Sequence, residues 1–162
     1  MKYNAADNRP YDTSEPTLLG GSVWLYLITG NEQFLRNAGH VANVVEESYL
    51  YHSGIVMKGH PFAETVKVEE PRTNTEILCD VAKLALVDSN YTQLTKTLAD
   101  AVIEYEINHE TDLFYSFVTL EGEPLDRSMY MSYGGSVGLE SLCLIYTSDA
   151  ADERSSVDLG GR

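Results

Sequence analysis

Residues Tyr26–Leu35 read Tyr-Leu-Ile-Thr-Gly-Asn-Glu-Gln-Phe-Leu, and this stretch decides the fold. Gly30 suits the position just past a helix end, where a left-handed residue is needed, and Asn31 is a strong cap for a second helix. Upstream, Ser14 and Pro16 mark a helix start, and the apolar run Leu18 to Ile28 follows, with Trp24, Leu25 and Leu27 in it. Downstream, Phe34, Leu35, Ala38, Val41, Ala42 and Val45 recur at helical spacing, with Glu32, Arg36, Asn43 and Glu46 on the other side. The first helix is apolar on most faces and the second on one stripe. That contrast predicts an inner, buried helix paired with an outer, half-exposed one, and it places Trp24 in the core.

The same plan returns further along the chain. Leu27, Asn31, Leu35 and Ala42 recur 59 residues later as Leu86, Asn90, Leu94 and Ala101, and Gly20–Val23 recurs as Gly134–Val137. Thr73 with Glu76 forms a capping-box pattern, so a helix is expected to begin near Asn74 and to run through Ile77, Leu78, Val81, Ala82, Leu84 and Leu86. Ser89 or Asn90 then caps an outer helix with Leu94, Leu98, Ala101, Val102 and Tyr105 as its buried stripe. A third unit opens at Gly134. Between units lie two long connections, residues 49–72 and 112–133. The second carries Leu113–Val118, aromatic and β-branched enough for a strand, and a turn at Glu121–Pro124. Connections this long and this aromatic are where ligand contacts are expected.

Composition excludes several partners. The chain has 162 residues, 25 acids against 11 bases and a net charge of −14. Nucleic acid demands clustered Lys and Arg, which are missing, and anionic membrane surfaces are disfavoured by the same sign. No apolar stretch reaches the roughly 20 residues of a membrane span, and no charged-then-apolar leader follows Met1, which favours a cytoplasmic setting. Cys79 and Cys143 are too few for a disulfide framework and lack metal-site spacing.

From Tyr146 the chain reads Tyr-Thr-Ser-Asp-Ala-Ala-Asp-Glu-Arg-Ser-Ser-Val-Asp-Leu-Gly-Gly-Arg, which resembles the translated read-through of a transposase-type sequencing adapter, a frequent ending in metagenomic assemblies. The expected division is therefore a native part, residues 1–145, and a non-native, disordered tail, residues 146–162. Without the four acids and two arginines of Thr147–Arg162 the net charge is still −12. Acidity belongs to the native part.

Inner helix, outer helix and long decorated connection, repeated at a period near 58, resemble the six-hairpin (α/α)6 toroid enzymes. Tyr26–Leu35 is similar to their recurrent link between helices, and Asn108–Tyr115 to their short strand after the outer helix. The resemblance covers residues 14–146. It implies an all-α fold of tandem hairpins, about two and a half of six, with a short β-hairpin-like insertion near residues 113–124 and the remainder of the ring missing. It also implies carbohydrate chemistry on an oligosaccharide or sugar. Glycoside hydrolases, sugar epimerases and polysaccharide lyases share the architecture, and a non-catalytic helical-repeat scaffold is the reading of a different class. No cofactor and no metal are expected.

In such toroids the segments before the inner helices face a common cavity. That singles out Asp12, Glu15, Glu76 and Asp126 as candidate catalytic carboxyls, since glycoside hydrolysis uses two. Glu15 and Glu76 also have a plain explanation, because first-turn carboxylates are favoured by the helix dipole. His52, His60, Arg72, Asn74, Arg127, Tyr130 and Tyr133 are the candidate sugar-binding residues, with Tyr49 and Tyr51 as further stacking faces. A loop histidine pair such as His52 and His60 suits proton exchange beside a carbonyl, the epimerase scheme, although loop histidines eight apart are commonly ordinary surface residues. Arg72 and Arg127 could pair with a uronate, or simply with neighbouring acids.

Overall fold

The computed structural model describes residues 17–56, 68–69, 71–115 and 117–125, with side chains at 18–56, 73–115 and 117–125. Helix α1 (Thr17–Thr29) ends at Gly30, whose φ of 66° takes the left-handed turn, and its N–H bonds the Tyr26 carbonyl at 2.7 Å. Asn31 then caps α2 (Glu32–Ser48), its side chain accepting from Gln33 N at 3.0 Å. The deciding stretch folds as its sequence dictates. Ala38, Val41, Ala42 and Val45 form the buried stripe of α2, and His40 lies on its exposed side.

The second hairpin repeats the first with altered boundaries. A strand residue pair, β1 (Val68–Glu69), precedes α3, which runs Pro71–Ala85 and not from Asn74. Proline is favoured in the first turn because its missing N–H is not needed there, and it starts the helix ahead of the capping-box pattern. Thr73 therefore lies in the first turn and Glu76 beyond it. A 3-10 turn, Ser89–Tyr91, leads into α4 (Thr92–Ala101), and the cap is Asp88, which accepts from Asn90 N at 3.1 Å, in place of the expected Ser89 or Asn90. Beyond Ala101 the helix widens into a π-turn, Val102–Glu106.

Helices α1 and α3 pack side by side, α2 rests on α1, and α4 rests on α3. One core joins them, built from Leu19 and Val23 of α1, Ala38 to Val45 of α2, Ile77 to Leu84 of α3, and Leu94, Leu98 and Val102. Tyr49 belongs to it at 1% exposure, so this tyrosine is a packing residue and not a stacking face. Short strands tie down the connections. β2 (Ile107–Asn108) pairs antiparallel with β3 (Leu113–Phe114), and β4 (Val118–Thr119) pairs with β1 of the other connection. The expected strand at Leu113–Val118 is thus divided between two partners. A turn follows at Thr119–Glu123, closed by Thr119 N to Glu123 O at 2.9 Å and by a Val118–Pro124 bridge. A satellite cluster of Ile55, Ala101, Val118 and Leu120, with Tyr51, Tyr105 and Tyr115 against it, joins the two connections.

Trp24 corrects the core assignment: it is 54% exposed, in a face with Leu18, Leu25, Leu27 and Ile28. These residues are apolar for contacts that the described residues do not supply, and exposed apolar surface on this scale binds hydrophobic probes. The chain is expected to enhance anilinonaphthalene sulfonate fluorescence, and Trp24→Gln with Ile28→Gln should reduce the signal. A probe-silent chain would contradict the exposed face. Among the described residues, no helix is long and apolar enough to cross a membrane.

Candidate functional site

Helix α3 is where the described chemistry concentrates. Its buried side carries Ile77, Leu78, Val81 and Leu84, while Thr73, Glu76, Asp80 and Lys83 recur at spacings of three and four and are all half-buried. An inner helix with a polar stripe has a use for that stripe other than filling the core. Glu76 stands beyond the first turn of α3, which removes the helix-dipole explanation for it.

Asp80 is the carboxyl the sequence reading missed. Its side chain is 19% exposed, and Lys83 Nζ lies 3.6 Å from Oδ1. It packs against the first turns of α1, where the Gly20 N–H donates to it and a Cβ on Gly20 would overlap the carboxylate. Burial raises its pKa above the ordinary 3.8, and the neighbouring Glu76 adds to the rise; Lys83 and the Gly20 N–H act the other way, and burial wins. A folded-state value above the unfolded one means that the native chain binds this proton more tightly. The associated stability is complete below 3.8 and is lost as pH rises through the raised value. Relative to Asp80→Asn, the wild-type chain should therefore gain stability as pH falls through the window just above 3.8. Denaturation midpoints of the two proteins at stepped pH read this directly, and parallel curves would refute it.

Asn74 lies in the same helix at 2% exposure. Its Oδ1 accepts from Val56 N at 2.6 Å, tying the first connection to α3, and its Nδ2 is buried without a partner among the described residues. Asn74 is thus a strut of the connection. Glu106 is fully buried in the π-turn, and its carbonyl accepts from Tyr115 N at 2.9 Å.

The predicted set divides. Glu76 and Asn74 share α3, whereas His52 is exposed on the first connection and faces α4 across a cavity; its ring contacts Tyr51 at a 40° tilt with centroids 4.0 Å apart. Tyr51 is anchored by its hydroxyl to Glu121 Oε1 at 3.3 Å. Arg72 lies in the first turn of α3, its side chain outside the described residues, and His109 is exposed after β2. Asp12, Glu15, His60, Asp126, Arg127, Tyr130 and Tyr133 lie outside the described residues, as do the third unit and the segment 146–162. Among the described residues, no three His, Cys, Asp or Glu side chains come together as a metal site.

Helix spacing alone put Glu76, Asp80 and Lys83 on one face, so the stripe was readable. The approach of Gly20 to Asp80 crosses 60 residues of sequence and was not.

Solved structures share this arrangement. An α-mannanase of glycoside hydrolase family 76 from Bacteroides thetaiotaomicron superposes with a TM-score of 0.74 at 15% identity, over 93% of this chain and 43% of that one. A D-mannose isomerase gives 0.69 at 12% identity, over 85% and 37%. A cellobiose 2-epimerase from Bacillus thermoamylovorans gives 0.69 at 13%, over 84% and 40%. No protein-family model matches the chain, and no curated protein does. The chain has the helical-hairpin (α/α) toroid fold of these structures and spans about two-fifths of their length.

Proposed function

We propose that this chain is part of a carbohydrate-active toroid that hydrolyses a glycosidic bond by carboxyl acid/base chemistry. The reading rests on Asp80. A general acid must still hold its proton near the working pH, and burial against α1 drives this carboxyl in that direction. Its polar stripe lies on an inner helix, and the structural neighbours include an α-mannanase and a family 76 glycoside hydrolase.

The second carboxyl decides the stereochemistry. Glu76 stands one helical turn from Asp80 on the same face of α3 and is the candidate partner for a retaining pair, whose carboxyls lie roughly 5–5.5 Å apart. Asp12, Glu15 or Asp126, from other segments, would suit the wider spacing of an inverting pair, in which a water enters between them. Arg72, Arg127, Tyr130, Tyr133 and His60 remain the sugar-binding candidates, and residues 146–162 a non-native tail.

A sugar epimerase is the second reading, favoured by the likeness to a cellobiose 2-epimerase and a D-mannose isomerase. It would use His52 and His60 as the proton-exchanging pair. Incubation of the protein carrying the whole ring with manno- and cello-oligosaccharides separates these readings. Hydrolysis yields new reducing ends, whose first-formed anomer by NMR assigns Glu76 or a distant partner. Epimerisation changes the sugar without shortening it. A folded ring that alters none of these substrates leaves the scaffold reading in possession.

A further inference from the structure

We propose a second saccharide-binding site, on the outer rim, formed by the first connection and the C-terminal end of α4 with its π-turn. The cavity there is an open groove of about 420 Å³, within the range of small-molecule sites. His52, Gly54, Thr97, Asp100, Glu104 and Tyr105 line it. It is separate from the α3 stripe, since none of Thr73, Glu76, Asp80 or Lys83 borders it.

Two features build the cavity. Gly54, at φ 88°, lets the connection lie flush on α4: a Cβ there would stand 2.9 Å from Ala101 Cβ and 3.0 Å from the Thr97 carbonyl. Ser53 Oγ donates to the Leu120 carbonyl at 2.6 Å, so the second connection braces the first. The wall is therefore fixed by packing rather than by a free loop.

The lining selects the ligand. Asp100 and Glu104 are exposed and one turn apart, and neither has a hydrogen-bond or ion-pair partner among the described residues. With His52 they do not converge as metal ligands. Acceptors spread this widely need a molecule with several separated donors. His52 and Tyr105 add ring atoms beside them, the Tyr105 ring being backed by Gly122. Separated hydroxyls on one edge and C–H faces on the other describe a pyranose, and the volume admits one or two rings. The choice of a saccharide over another polyol rests on the proposed function, but binding here is read without any turnover.

The test is titration of the chain with mannobiose and with cellobiose, followed by 1H–15N NMR, against Asp100→Asn/Glu104→Gln and, separately, His52→Ala. Both carboxyls are exposed, so the double variant should melt as the parent does. The expected result is saturable binding that shifts amides of residues 52–54 and 97–105, weakens at least tenfold in the double variant, and is indifferent to added salt. Failure to saturate by about 10 mM, equal affinity in both variants, or shifts confined to α3 would overturn the proposal. Spermidine binding that disappears with salt, with no response to either sugar, would assign the cavity to a cation and overturn it equally. Loss of turnover with binding intact would count against the hydrolase reading and leave this one standing.

Discussion

Asp80→Asn in the protein carrying the whole ring is expected to lower kcat on an oligosaccharide by about 10²–10⁴-fold with little change in KM. Asparagine keeps the shape of the side chain and can still accept from the Gly20 N–H, so the α1–α3 joint survives. What it cannot do is deliver a proton to the leaving oxygen. A substrate with a nitrophenolate leaving group does not require that proton, and on it the loss should largely vanish. Lys83 supplies an independent check. Its ammonium lowers the Asp80 pKa, so Lys83→Met should move the alkaline limb of the pH–rate profile upward. Equal losses on both substrates, with an unmoved limb, would assign Asp80 to the helix joint alone.

The second large effect is on stability. Tyr49→Ala should destabilise the chain by about 3–5 kcal/mol, the cost of removing a fully buried aromatic ring. Tyr49 is 1% exposed, and its backbone N–H bonds the Val45 carbonyl at 3.0 Å where α2 gives way to the first connection. Against a total of about 5–15 kcal/mol for ordinary domains, a loss of that size lowers the denaturation midpoint severely. Tyr51→Ala, two residues on, removes a half-buried ring and should cost much less. Chemical denaturation monitored by circular dichroism compares them, and similar midpoints would show that Tyr49 is not the plug of this core.

These outcomes depend on features of unequal legibility. Gly30, Asn31 and the stripe of α2 could be read directly, because caps and helical spacing are local. The start of α3 could not, since two local signals competed and Pro71 prevailed over Thr73–Glu76. Trp24 was misplaced because composition says that a face is apolar without saying what covers it. On α3, Glu76 draws notice by its position near a helix start, whereas the surroundings of Asp80 depend on a glycine of another helix and are not local in sequence. His52 lies on the first connection, and the residues it meets across the cavity, Asp100 of α4 and Glu104 of the π-turn, are distant in sequence.

The π-turn after α4 has one more consequence. Continued α-helical spacing from Leu98 and Val102 carries Tyr105 into the buried stripe, as the sequence predicts. The i→i+5 turn takes in one residue more, so Glu106 arrives there instead while Tyr105 stays half-exposed. In the first hairpin the residue 59 positions earlier, Glu47, is exposed on a regular helix. A single-residue change of phase, absorbed inside a helix, has thus turned one carboxyl inward and left Tyr105 half-exposed beside the cavity. Deleting Ile103 would restore the first hairpin's phase and exchange those two side chains, so the rim cavity and the buried carboxyl share one origin and should be gained or lost together.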